Sequence, residues 1–270
     1  MHAIQQHSEH VTAIPRRILV ASRLGEEDGA LRVGCARAAT WGAELALCHV
    51  GSAEPRRVAE HAVRILGDSA LDCAVFAEHP GAVADAIARR AAEWGADLVI
   101  VGGAKHGDGP ASRLWHSDDG WAIVRSVSCS VLVSRHTPGT GRMIVGTDLT
   151  EASTPAVQAA AAEQARQRVT TTLVHCLPMS WGAAGPEPKS LELEASLVPR
   201  LALIAAAAGL RAEPRLAFGD AGARLVEIAS ELAADLVVVG GRNLGPRRWR
   251  HGCATEQVVR GAPCAVLVVR

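Results

Sequence analysis

Absences narrow the reading of this chain of 270 residues before any pattern is sought. Net charge is missing: 28 lysines and arginines balance 28 aspartates and glutamates, so no overall field steers the protein toward nucleic acid or an anionic membrane. Long apolar runs are missing too. The hydrophobic residues, 49% of the chain, come in short stretches broken by charge, well short of the roughly 18 apolar residues of a membrane span. The opening MHAIQQHSEH has no signal-peptide core, and its His2, His7 and His10 sit in a polar stretch without apolar periodicity. Residues 1–14 are therefore expected to form a disordered leader, and the protein to be soluble and cytoplasmic. No C-x-x-C pair occurs among the seven cysteines, which excludes the usual disulfide framework and zinc knuckle. Cys48, Cys129, Cys176 and Cys264 fall in or beside β-like runs, where reduced core cysteines belong. Catalytic signatures are also missing. There is no G-x-x-x-x-G-K, no H-E-x-x-H, no Ser-His-Asp order and no paired-carboxylate site that its context supports.

What is present is a duplication. Arg17-Ile18-Leu19-Val20 returns as Arg142-Met143-Ile144-Val145, and LALCHV (45–50) as TLVHCL (172–177), with His49 and His175 at equivalent places. GADLVIVGG (95–103) returns as AADLVVVGG (233–241), and CSVLV (129–133) as CAVLV (264–268). Each copy alternates strand and helix, ending on a strand, which predicts parallel strands with helices on both faces. Continuous runs such as DLVIVGG and AVLVV lack polar alternation, as strands covered on both faces do. Between them the helices are amphipathic. Val83 and Ile87 share one face while Asp85 and Arg89 share another, and Asp220 is placed to cap a helix lined by Leu225, Ile228 and Leu232. His49 and His175, on buried-looking strands, read as satisfied structural histidines and not as general bases. The predicted organisation is a leader (1–14), a first domain (15–135), an irregular linker (136–141) carrying Pro138, Gly139 and Gly141, and a second domain (142–270).

The order of these landmarks and the texture of the loops resemble the universal stress proteins, over nearly all of residues 15–270. The resemblance implies two tandem doubly wound domains of the adenine nucleotide alpha hydrolase-like kind, each a five-stranded parallel sheet with helices on both faces. It also implies a cytoplasmic stress-response regulatory or protective protein, and in nucleotide-binding members a site for ATP with Mg²⁺. There an aspartate follows the first strand, and the loop after the fourth strand carries G-x-x-G and then G-S or G-T. The pattern has a physical reason: an aspartate accepts hydrogen bonds from base or sugar, and glycines let backbone N–H groups close on phosphate.

In the second copy the resemblance places Asp148 at the aspartate position, between Thr147 and the pair Leu149-Thr150, with Val174 on the next strand. Gly240 or Gly241 opens the glycine motif, and Arg242 follows as a cation able to pair with phosphate. Asn243 or Gly245 serves as its second glycine, and Gly252 with Cys253 takes the G-S/T place, followed by Ala254 and Thr255. Cys253 offers a weak donor where a hydroxyl is usual, and Thr255 lies close by. The first copy departs further. Arg23 stands at the aspartate position, Ser117 and Asp118 at the G-S/T place, and Trp115 and Trp121 add bulk nearby, which implies a degenerate pocket or an anion held by Arg23 and Lys105.

Three function classes stay open. One is a nucleotide-responsive regulator with ATP in the second domain. Another is a nucleotide-independent interaction protein with both pockets non-binding. The third is an ATP-cleaving enzyme of related fold, whose glycine- and serine-rich loop after the first strand neither ASRLGEED nor GTDLTEAS provides. The expectation is no enzyme, with at most slow ATP hydrolysis. The expected partners are an adenine nucleotide but neither nucleic acid nor membrane. The last strands, SVLVS (130–134) and AVLVVR (265–270), are expected to pair within the chain as a pseudo-dimer, leaving room for a homodimer of chains. The Pro- and Gly-rich residues 178–190 read as a loop.

Overall fold

The computed structural model describes residues 14–26, 28–78, 81–103, 120–135, 137–178, 188–241 and 253–270. Leader residues 1–13, the loop residues 179–187 and the first-copy residues Lys105, Trp115, Ser117 and Asp118 lie outside them.

The first domain runs β1 (Arg17–Ala21), α1 (Gly29–Trp41), β2 (Glu44–Val50), α2 (Pro55–Leu66), β3 (Cys73–Glu78), α3 (Val83–Trp94), β4 (Leu98–Gly102), a helical run over residues 120–126 (α4), and β5 (Ser130–Ser134). The second repeats it as β6 (Arg142–Gly146), α5 (Thr154–Arg166), β7 (Thr170–Leu177), α6 (Pro188–Ala207), β8 (Ala212–Phe218), α7 (Ala221–Glu231), β9 (Leu236–Gly240), α8 (Ala254–Gly261) and β10 (Ala265–Val269). Residues 188–190, expected in the loop, already belong to α6.

Among the described residues all strands join one sheet of ten in the order β3-β2-β1-β4-β5-β10-β9-β6-β7-β8. Pairing is parallel within each domain. At the centre β5 meets β10 antiparallel, with Val131, Leu132 and Val133 opposite Val268, Leu267 and Val266. The two apolar last strands thus cover each other's edges, which otherwise invite pairing with foreign chains.

Both faces of the sheet are covered, which explains the uninterrupted β-branched runs. One apolar layer is filled by α1, α2, α5 and α6, through residues such as Leu31, Val58, Val157 and Leu201. The other is filled by α3, α4, α7 and α8, through Ile87, Trp121, Ile228 and Val258. Each layer runs without a break through both domains. Trp121, expected near the first crevice, is core.

Two details differ from the sequence reading. Hydrogen-bond register aligns residues 45–50 with 171–176, one position from the apparent match: Ala21 faces Cys48 and its equivalent Gly146 faces Val174. The histidine equivalence survives, since His49 and His175 each follow those partners. Val83 stands exposed as the first residue of α3, because the packed stripe begins a turn later at Ala86, Ile87 and Ala91. Asp220 caps α7 as expected, accepting from the Ala223 amide at 3.0 Å. The linker is irregular but tied down: the Asp235 carboxylate accepts from the Gly139 and Gly141 amides, each at 2.6 Å. Both glycines hold positive φ, 74° and 68°, a backbone that other L-residues adopt only under strain.

Candidate functional site

Strand order reverses between β1 and β4 and again between β6 and β9. In open parallel sheets ligands sit at the carboxyl ends of such strand pairs. The loops leaving β1 and β6 share one skeleton. The Ser22 amide donates to Cys48 O and the Thr147 amide to Val174 O. The Ser22 and Thr147 hydroxyls accept from the Leu24 and Leu149 amides at 2.9 and 3.1 Å. Leu24 and Leu149 both take left-handed backbone, with φ of 59° and 62°, a conformation uncommon outside glycine. His49 and His175 close the match, their Nδ1 lying 3.0 and 2.9 Å from Ser22 O and Thr147 O. Because a carbonyl only accepts, both rings carry a proton on Nδ1. This shared skeleton puts Arg23 and Asp148 at the same point of their loops.

In the second domain Asp148 is exposed, and Thr150 holds its Oδ1 by both amide and hydroxyl, at 2.9 and 2.7 Å. Burial of the carboxyl acts to raise its pKa, but the Thr150 hydrogen bonds, with Ser153, outweigh it and hold the group below the ordinary aspartate value. Asp148 is a fixed anion at the crevice mouth. Across from it, a Cβ on Gly240 would lie 3.7 Å from Ala152 O, so the end of β9 faces the Asp148 loop closely. Gly241 donates its amide to Val269 O. Cys253 is the N-cap of α8, its sulfur accepting from the Glu256 amide at 3.4 Å, and Ala254 opens the helix. Thr255 departs from expectation. Its hydroxyl donates to Gly240 O at 3.0 Å, so its proton is spent on the rim itself. Val174 is buried beneath the loop. Thus Thr147, Asp148, Leu149, Thr150, Val174, Gly240, Gly241, Cys253, Ala254 and Thr255 gather at one end of the sheet, while Arg242, Asn243, Gly245 and Gly252 lie outside the described residues.

A model of the universal stress protein family matches residues 139–270, the whole second domain. The second domain belongs to the universal stress protein family. No curated protein matches the sequence. Among solved structures, a functionally unknown protein of Pseudomonas aeruginosa PAO1 is 18% identical, covering 96% of this chain and 93% of that one, with a TM-score of 0.76. A putative universal stress protein of Pseudomonas aeruginosa UCBPP-PA14 is 19% identical at the same TM-score, covering 96% of this chain and 94% of that one. A universal stress protein of Archaeoglobus fulgidus DSM 4304 is 12% identical with a TM-score of 0.66, over 94% and 96% of the two chains. These likenesses are of fold, and they extend over both domains.

The first domain fills the corresponding space differently. Asp28 stands where Ser153 stands, and its Oδ2 accepts from the Ser22 hydroxyl and, at 2.9 Å, from His61 Nε2. Asp28 Oδ1 accepts from the Leu31 amide and caps α1, while Arg64 donates to His61 Nδ1 at 2.8 Å. The side chains of Asp28 and His61 are only 6% and 4% exposed. The second domain has a neutral pair instead, the Thr147 and Ser153 hydroxyls 2.8 Å apart. Sequence reasoning missed this network, since nothing in the spacing of Ser22, Asp28, His61 and Arg64 marks it. It also missed Arg200 on α6, which donates to Leu149 O at 3.3 Å and brings a cation to the Asp148 loop.

The cysteines behave as small hydrophobes. Burial pushes the Cys48 and Cys264 thiols up to about 12, and those of Cys129 and Cys176 up to about 11, so all four stay protonated near neutral pH. No helix among the described residues is long and apolar enough to cross a membrane, and no three metal-ligating side chains cluster there.

Proposed function

We propose that this tandem universal stress protein binds ATP with Mg²⁺ in the crevice of its second domain and acts in the cytoplasm as a stress-response regulatory or protective protein, not as an enzyme. One observation carries the reading. Two loops with the same backbone present opposite charges at the same point, Asp148 in the second domain and Arg23 in the first. A fixed carboxylate there accepts hydrogen bonds from the amino or hydroxyl groups of a nucleoside; a guanidinium does not. Gly240 and Gly241, bare of side chains on the facing rim, let a ligand approach the backbone.

One observation favours the competing reading of a nucleotide-independent interaction protein. The Thr255 hydroxyl proton goes to Gly240 O and not to a phosphate, and Cys253, whose sulfur takes the Glu256 amide, offers only a weak S–H donor where a hydroxyl is usual. Thermal melts with and without ATP and Mg²⁺ separate the two, because a ligand selective for the native state stabilises it. ATP is expected to raise the melting temperature of the native sequence and of Arg23→Ala. Asp148→Ala is expected to lose most of that rise. A full rise in Asp148→Ala, or its loss in Arg23→Ala, would sink the assignment.

A further inference from the structure

The repeat continues two residues past the obvious match. CSVLV is followed by Ser134-Arg135 and CAVLV by Val269-Arg270, so an arginine directly follows each last strand. The two side chains cross the seam in opposite directions. Arg135 Nη2 donates to Val259 O in the last turn of α8, and Arg270 Nη2 donates to Val124 O in α4, the equivalent residue of the other domain. Their remaining branches hold different things. Arg135 Nη1 reaches Cys264 O at 3.4 Å, at the start of β10, while Arg270 Nη1 reaches Gly241 O at 2.9 Å. Both guanidinium groups are half-buried, and burial draws each below the ordinary arginine value. Arg135 is packed so closely on Gly103 that a Cβ there would lie 2.7 Å from its Cγ.

These contacts fall on both described flanks of the second-domain crevice. α8 starts at the crevice with Cys253 and Ala254, and its last turn is held by Arg135 of the first domain. Gly241, the last described residue of the facing rim, is held by Arg270, whose other branch is anchored on the first domain. We propose that Arg135 and Arg270 are positioning residues that set the geometry of the second-domain crevice by tying its two flanks to the first domain across the seam. The first domain, with Arg23 in place of the aspartate, thereby acts as a support for its neighbour's binding site. This rests on the proposed nucleotide site for its effect on affinity, and on the hydrogen bonds alone for its structural claim.

The test uses the full chain as the native sequence, Arg135→Met and Arg135→Lys, with folding checked by far-ultraviolet circular dichroism. Arg135 lies outside the crevice, yet Arg135→Met is expected to weaken ATP binding by calorimetry about tenfold, with Arg135→Lys in between. Without any ligand, amide hydrogen exchange is expected to speed up in Arg135→Met across α8, whose Val259 O takes the Arg135 guanidinium, and not in β6 or β7. Should Arg135→Met fail to fold, Arg135→Lys carries both readouts, since it keeps the charge and loses the fork that spans two carbonyls. Unchanged exchange in α8 would overturn the proposal whatever the affinities. A native chain that takes up no ATP would overturn the nucleotide reading instead, and the exchange data would still decide this one.

Discussion

Leu132→Asp is expected to bring the tandem fold close to collapse. Leu132 is 1% exposed, sits opposite Leu267 at the middle of the β5–β10 seam, and belongs to the apolar layer that both domains share. Removing it forfeits about 2 kcal/mol of buried apolar surface. The new carboxylate, with no cation opposite it, adds several more, for a total of about 5 kcal/mol. Whole-domain stabilities are about 5–15 kcal/mol, so the variant is left marginal. Because each layer runs through both domains, the loss is expected in one cooperative transition, with the melting temperature lower by about 10 °C or more. Scanning calorimetry of purified variant against native chain reads this directly. A variant in which one domain melts early and the other at the native temperature would show that the seam does not join the two cores.

Asp28→Ala is expected to cost far more than the equivalent change in the second domain. It removes the acceptor of the Ser22 hydroxyl and of His61 Nε2 and the cap of α1 in one step. A lost cap costs about 1 kcal/mol, and each of the two buried donors left unsatisfied about 1–3 kcal/mol, giving about 3–7 kcal/mol together. Ser153→Ala removes one hydroxyl partner of Thr147 and is expected to cost about 1 kcal/mol. Urea midpoints of the two variants give the comparison, and equal losses would mean that the buried Asp28–His61 pair is no more tightly built than the Thr147–Ser153 pair.

The fold was legible because its physics is local and repeated. Buried parallel strands write themselves as β-branched runs such as ILVA and DLVVVGG, and a duplicated chain writes each of them twice. Asp148 was legible from its place after β6, and the capping role of Asp220 from its place before an apolar stripe. What stayed hidden depends on partners distant in sequence. Ser22, Asp28, His61 and Arg64 meet only because α2 folds back over the first loop. The match of LALCHV to TLVHCL followed hydrophobic texture, which tolerates a slip that hydrogen-bond register does not. Thr255 looked like a donor for a ligand because nothing in the sequence says that Gly240 O already takes its proton. Arg135 and Arg270 were within reach of the sequence, but their role became visible only once the two strands met.

In the proposed division of labour, the second domain binds nucleotide and the first supports it. Calorimetric titration of purified, nucleotide-stripped protein with ATP and Mg²⁺ tests it most directly through the stoichiometry. One site per chain is the predicted result; two would contradict the exclusion of ligand by Arg23 in the first domain, and none would contradict a nucleotide role for Asp148.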